Sequence, residues 1–154
     1  MTDEQLLIHR ARPLDLPHIV VIEDESFADP WDLPTLEWIL ETCGEHFFVA
    51  HYRQQVVGFI AGALEDTGEE RYGHICNFAV TGAFRRMGIG RKLVARAEHQ
   101  FVLEGAAGVQ LEVRVSNLSA QRFYEKNGYQ DVFQIPQYYA NTEDALVMMR
   151  YFRF

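Results

Sequence analysis

Apolar and polar residues change their spacing along the chain, and each spacing predicts a different element. Short apolar runs between polar turns predict strands, and apolar positions three to four residues apart predict helices. In the first half, the predicted elements are a strand at 6–10, helices at about 13–26 and 34–41, a hairpin of 47–50 and 56–61 around Arg53-Gln54-Gln55, a polar turn at 65–70 and a strand at 71–80.

The second half begins with a longer helical pattern. Ile89, Leu93, Ala97 and Phe101 are four residues apart and predict one apolar stripe on a helix over 88–104. The further elements are a strand with alternating faces at 109–115, a helix capped by Ser116 or Asn117 and stopped at Asn127-Gly128, and closing strands at 129–133 and 145–151. The order β-α-α-β-β-β-α-β-α-β-β predicts an α/β domain.

The composition of the chain narrows its class. It has 154 residues, 48% hydrophobic and 23% charged, which are values typical of one globular domain spanning 1–154. Because the first residues are acidic and no apolar run is long enough to cross a bilayer, we expect a cytoplasmic protein without a signal peptide or membrane anchor. Cys43 and Cys76 are expected to be free thiols.

Charge is distributed unevenly. Residues 1–70 carry 15 acids and three bases, whereas residues 71–154 carry 11 bases and seven acids, for a net charge of −8. This asymmetry favours two ligands of opposite sign, although uneven charge often serves solubility alone. Overall acidity argues against a nucleic-acid partner.

The sharpest motif is Arg85-Arg86-Met87-Gly88-Ile89-Gly90, which follows a predicted strand and opens a predicted helix. Glycines at a helix N-terminus let a phosphate approach unpaired backbone amides, and Arg91 and Lys92 add charge. The run matches neither a Walker loop nor a Rossmann turn. The alternative is an ordinary strand-to-helix turn with solvated arginines.

The motif Arg85-x-x-Gly88-x-Gly90 resembles the acetyl-CoA signature of the GCN5-related N-acetyltransferases (GNAT). Further segments resemble the ribosomal-protein-alanine N-acetyltransferase (RimI-like) branch: Ile22-Glu23, Pro30-Trp31, 77–80, 111–117, 123–129 and Tyr138-Tyr139. The resemblance implies a GNAT fold with a mixed sheet of about seven strands and about four helices. It also implies acetyl-CoA as donor and no metal.

The same resemblance assigns cofactor and catalytic roles. The residues implied to hold acetyl-CoA are Phe78, Ala79, Val80, Arg85, Arg86, Met87, Gly88, Ile89, Gly90, Arg91, Asn117, Ser119 and Tyr124. It implies a bulge in the strand at Phe78–Val80 that frees backbone groups for the acetyl group. Glu112 is implied to be the base that deprotonates the amine, and Tyr124 the acid that protonates the leaving thiolate. His74 is the second candidate for the base, because its ordinary pKa suits proton transfer.

The acceptor side is implied to lie in the acidic half and the last hairpin, with Phe27, Trp31, Tyr138 and Tyr139 as substrate-binding residues. The acids expected to attract a basic acceptor are Glu23, Asp24, Glu25, Asp29 and Asp32. The expected acceptor is a protein N-terminus followed by basic residues, and the expected state is a monomer or weak dimer. Two alternatives stay open: acetylation of a small amine or polyamine, and a non-catalytic acyl-CoA-binding regulatory module.

Overall fold

The structure is a computed structural model that describes residues 5–153. Within that range the elements follow the predicted order. The strands are β1 (Leu6–Arg10), β2 (Phe47–Tyr52), β3 (Gln55–Asp66), β4 (Arg71–Val80), β5 (Gly108–Arg114), β6 (Gln130–Ile135) and β7 (Ala145–Tyr151). The helices are α1 (Leu16–Ser26), α2 (Leu33–Cys43), α3 (Ile89–Leu103) and α4 (Leu118–Lys126).

The seven strands form one mixed sheet in the order β1-β2-β3-β4-β5-β7-β6. β1 pairs antiparallel with β2, and β2 with β3, whereas β4 and β5 are parallel. β7 is antiparallel to both β5 and β6. The predicted mixed α/β fold with seven strands and four helices is confirmed.

The described chain divides into two compact units, of which the first comprises residues up to Ala63 together with Asn77–Gln100. Its core packs the apolar faces of α1 and α2, including Ile19 and Leu36, with Phe47 and Phe59 of the hairpin. Arg53 and Gln54 both have positive φ values, +51° and +69°, which suit the tight turn between β2 and β3.

The second unit comprises Leu64–Cys76 and the chain from Phe101 onward. Here Gly73 pairs with Val109 in the parallel register. A Cβ on Gly73 would overlap the ring of Phe101, so only glycine fits at this close approach. Buried Leu111 and Met148 form a register pair between β5 and β7, which confirms the apolar face predicted for this strand.

Several element boundaries differ from the predictions. β3 continues through Glu65 to Asp66, so the turn predicted at 65–70 begins only at Thr67. The first helix opens with a 3-10 turn at Pro13–Asp15, and α2 extends to Cys43. Residues 1–4, on which the absence of a signal peptide was predicted, lie outside the described residues. No helix within residues 5–153 is long and apolar enough to cross a bilayer.

Candidate active site

The turn between β4 and α3 has an unusual backbone conformation. Gly88 has a φ of +81° and Arg86 a φ of +65°, both in the left-handed region. α3 begins at Ile89, and the Lys92 amide donates to the Gly88 carbonyl at 3.2 Å. The first amides of an α-helix have no acceptor within the helix and carry the positive end of its dipole. The turn therefore presents backbone donors suited to a phosphate.

Three arginines surround this turn, and all are exposed. Arg85 Nε donates to the Val80 carbonyl at 3.0 Å, which ties its side chain to the end of β4. The Arg91 guanidinium lies 3.9 Å from the position that a Cβ on Gly88 would occupy. Arg91 therefore reaches back over the glycine turn, and its charge stands where an approaching phosphate would gain from it.

The other predicted cofactor residues of this unit differ in burial. Ile89 and Ala79 have buried side chains, which leaves only their backbone groups for a ligand. Phe78 and Val80 at the end of β4 are half-buried, and Met87 is exposed.

In the second unit, parallel pairing brings His74 and Glu112 together. His74 is in register with Gln110, and Glu112 follows two residues later on the same face of β5. His74 Nε2 lies 2.8 and 2.9 Å from the two Glu112 carboxylate oxygens. The Tyr138 hydroxyl donates to Glu112 Oε1 at 3.1 Å. Two side chains from separate segments, His74 and Tyr138, therefore meet at the Glu112 carboxylate, and we name these three residues the Glu112 cluster.

The Glu112 cluster is electrostatically unusual. Hydrogen bonds with Cys76 and with Glu112 raise the pKa of His74 to about 10, although burial opposes the rise. His74 is therefore an imidazolium at neutral pH, and it donates to the Glu112 carboxylate beside it. Burial, followed by the charge of Glu112, raises the pKa of the Tyr138 hydroxyl, which remains a hydrogen-bond donor.

The segment after β6 is anchored to β5 by Arg114. Arg114 Nη1 donates to Glu143 Oε1 at 3.1 Å, and its guanidinium carbon lies 4.0 Å from the ring centroid of Tyr139. The Ser116 amide donates to Glu143 Oε2 at 2.9 Å. These contacts fix the predicted substrate-binding pair Tyr138-Tyr139 relative to β5. Neither this network nor the bond from Tyr138 to Glu112 was predicted.

On α4, Tyr124 is buried and Phe123 is only half-buried. The Tyr124 ring packs edge-on against both Phe123 and Tyr129, so Tyr124 contributes to the core packing of this helix. Burial raises the pKa of the Tyr124 hydroxyl, so it keeps its proton throughout the neutral range. Asn117 Oδ1 accepts the Ala120 amide at 3.1 Å as the helix cap, and Ser119 is exposed.

The predicted acidic acceptor side contains one residue that is not on the surface. Glu23 is fully buried, so its place among surface acids was wrong. Its carboxylate accepts the Trp31 amide at 3.0 Å and the side-chain amide of Asn77. Phe27 and Trp31 are half-buried, and Asp32 caps α2 by accepting the Thr35 amide at 2.9 Å. The Glu23 carboxylate therefore fixes the end of the loop that carries Phe27 and Trp31, through its hydrogen bond with the Trp31 amide.

Comparison with known proteins gives a consistent picture. The acetyltransferase (GNAT) family model matches residues 9–129. An uncharacterized N-acetyltransferase of Methanocaldococcus jannaschii is 35% identical over 146 residues, covering 94% of this chain and 91% of that protein. An N-alpha-acetyltransferase of Sulfurisphaera tokodaii is 34% identical over 152 residues, covering 92% of this chain and 90% of that protein.

Solved structures agree with the sequence comparison. Ard1 from Thermoplasma volcanium matches with a TM-score of 0.91 at 29% identity, over 97% of this chain and 99% of that one. The ribosomal-protein-S18-alanine N-acetyltransferase from Escherichia coli matches with a TM-score of 0.81 at 26% identity, over 97% of this chain and 95% of that one.

The chain belongs to the acetyltransferase (GNAT) family, and the resemblance stated from its motifs is confirmed. It is an acetyl-CoA-dependent N-acetyltransferase, with acetyl-CoA as the donor.

Proposed function

We propose that this enzyme transfers the acetyl group of acetyl-CoA to the α-amine of a protein N-terminus. The observation that carries the proposal is the Glu112 cluster, where one carboxylate accepts hydrogen bonds from His74 and Tyr138. The N-alpha-acetyltransferase relative supports the class of acceptor. Resemblance to the Escherichia coli enzyme favours an N-terminal alanine of a ribosomal protein as the particular acceptor.

Glu112 acts as the base. An incoming ammonium must lose one proton before its nitrogen attacks the thioester carbonyl, and a carboxylate can take it directly or through a water. His74, with its pKa raised to about 10, is already protonated at neutral pH and so cannot accept that proton. Its role is to hold the Glu112 carboxylate in position.

Tyr124 acts as the acid. When the carbon–nitrogen bond forms and the carbon–sulfur bond breaks, the departing thiolate needs a proton, which the Tyr124 hydroxyl donates. The amine nitrogen releases a second proton as the amide forms, so the overall reaction yields amide, thiol and one proton for solvent. The raised pKa of Tyr124 supports this role, because the hydroxyl is protonated before each turnover.

Donor binding uses the glycine turn. Backbone amides at Gly88 and Gly90, with Arg85, Arg86 and Arg91, bind the pyrophosphate. The remaining donor contacts come from Phe78, Ala79, Val80, Met87, Ile89, Asn117 and Ser119.

Acceptor binding uses Phe27 and Trp31 of one loop and Tyr138 and Tyr139 of the other. Basic residues after the acetylated N-terminus favour binding, because Asp24 and Asp29 remain on the exposed surface of the acidic half. We further propose that one domain over 1–154 acts in the cytoplasm as a monomer or weak dimer.

The experiment is a screen for thiol release from acetyl-CoA. Peptides with a free N-terminal alanine are compared with the same peptides blocked at the N-terminus and carrying a lysine, and with polyamines. Each free peptide is made in a matched pair, with basic or with neutral residues after the first position. Mass spectrometry locates the acetyl group.

We expect turnover of the peptides with free N-termini and no turnover of the blocked peptides. Among the free peptides, turnover should be faster when basic residues follow the first position. Turnover of blocked lysine peptides or polyamines alone would reject the α-amine while leaving the family assignment intact. Binding of acetyl-CoA without turnover of any amine would favour the regulatory module.

A further inference from the structure

A cavity of about 790 Å³ in the first unit is lined by none of the residues assigned to catalysis or to donor binding. His9 of β1, Asp15 of the 3-10 turn and His51 of β2 line it. One ligating atom of each of these three residues lies within 4.8 Å of the other two. Asp15 is fully buried, which is rare for a carboxylate unless a cation accompanies it.

The two imidazole rings form a hydrogen-bonded chain whose direction can be worked out. His9 Nδ1 lies 2.7 Å from the Arg10 carbonyl, which can only accept, so this nitrogen carries a proton. In the His9 tautomer whose ring proton is on Nδ1, the other nitrogen, Nε2, is an acceptor. His51 Nδ1 lies 2.5 Å from it and must be the donor. In a neutral His51 ring, Nε2 is consequently left with a lone pair.

That lone pair faces a second acceptor. His51 Nε2 lies 3.4 Å from Asp15 Oδ1, so two electron-rich atoms stand opposite each other inside the protein. The gap has the size of a metal site, because two ligands bound tetrahedrally at about 2.0–2.2 Å are separated by about 3.3–3.6 Å. A cation between these two atoms would satisfy both of them.

Arg12 does not already fill this place. Its backbone amide donates to Asp15 Oδ2 at 2.9 Å, and its Nε donates to the same oxygen at 3.3 Å. Its Nη2 also donates to Oδ1, at 3.3 Å, from a side chain that is about half exposed, and it does not contact His51 Nε2. The oxygen that faces His51 therefore has capacity for a stronger partner.

We propose that a divalent ion of the zinc class binds between His51 Nε2 and Asp15 Oδ1. His9 is a positioning residue, because it accepts the Nδ1 proton of His51 and so turns the Nε2 lone pair toward the ion. Imidazole and carboxylate are ligands that Zn²⁺ commonly takes, and water from the cavity completes the shell. The ion joins β1, β2 and the start of α1 and takes no part in acetyl transfer.

The test uses the full chain without a tag, stripped with a chelator and titrated with zinc chloride by calorimetry near neutral pH. We expect one equivalent of Zn²⁺ bound with a micromolar dissociation constant, and a melting temperature that rises with zinc. X-ray absorption should show nitrogen and oxygen ligands. Nitrogen NMR of the imidazoles should show His51 Nε2 shifting on addition of zinc.

Variants separate the roles. His51→Ala and Asp15→Asn should each abolish binding, and His9→Gln should weaken it about 10–100-fold. His99→Ala, which removes an exposed histidine of α3, is the control and should bind like the parent. Circular dichroism confirms that each variant is folded, and two ligand variants are made in case one is not.

Three results would overturn the proposal. The first is no stoichiometric binding of zinc by the parent protein. The second is binding that survives in folded His51→Ala or Asp15→Asn. The third is an NMR spectrum in which both His51 nitrogens are protonated and insensitive to zinc, since a proton rather than a metal would then fill the gap.

Discussion

Replacing Glu112 by glutamine tests the chemistry with little change in shape. The retained oxygen can still accept from His74 and Tyr138, which both contact Oε1, at 2.8 and 3.1 Å. What is lost is the negative charge and the capacity to take a proton. General base catalysis contributes about 10²–10⁴-fold. The variant should lose that factor in kcat/KM, which corresponds to about 3–5 kcal/mol in the barrier.

The Glu112→Gln variant should remain folded. A hydrogen bond between charged groups contributes about 1.5–3 kcal/mol, against a typical stability of about 5–15 kcal/mol. The assay is thiol release against pH with a free N-terminal peptide, at acetyl-CoA concentrations that saturate the enzyme. Circular dichroism and acetyl-CoA affinity by calorimetry serve as controls for the fold and the donor site.

The pH profile distinguishes the acceptor as well as the base. A free α-amine has a pKa of about 7.7–8.0, so the loss in Glu112→Gln should shrink between about pH 7 and 9. With a lysine acceptor, whose pKa is about 10.4, activity would still be rising above pH 9. Parental activity of Glu112→Gln at pH 7 would refute the reasoning, and His74 would then be the residue to replace.

Three further predictions address the donor, the acid and the stability. Gly88→Asp should abolish acetyl-CoA binding in calorimetry, because a side chain at φ +81° is strained and its charge repels phosphate; retained affinity would remove the phosphate site. Tyr124→Phe should lower kcat about 10²–10⁴-fold with nearly unchanged donor affinity; a parental kcat, with chemistry rate-limiting, would make Tyr124 a packing residue only. Because the pKa of His74 is raised from 6.5 to about 10, its stabilisation is complete below about pH 6.5 and is lost toward pH 10. Chemical denaturation should show this decline in the free energy of unfolding, and His74→Gln should flatten it; an equal slope in both proteins would contradict the assignment.

The fold was largely predictable because burial leaves a periodic trace in the sequence. Alternation at 109–115 predicted β5 since one face of that strand is buried. The end of β3 was missed for the opposite reason. Glu65 is half-buried and Asp66 is exposed, and both are polar, so the hydrogen bonding of the strand continues where its apolar pattern has stopped.

The site was predictable only where a local motif defines it. The glycine turn is contiguous and was found, whereas the Glu112 cluster depends on a parallel register and on a contact with Tyr138, 26 residues further along the chain. Neither the register nor this contact can be deduced from the spacing of residues within one segment. Burial of Glu23 was missed because an acid within a run of acids looks solvated, and its two amide donors come from distant positions.

Arg86 has a φ of +65°, a backbone conformation that lowers the stability of the turn proposed to bind the cofactor. A non-glycine residue in the left-handed region costs about 1–3 kcal/mol, which glycine would recover in part. Selection for heat resistance alone should therefore favour Arg86→Gly, and the substitution would also remove a positive charge from the turn proposed to bind pyrophosphate. A more stable enzyme obtained in this way should need more acetyl-CoA to saturate it, which makes Arg86 a position where stability and affinity trade against each other.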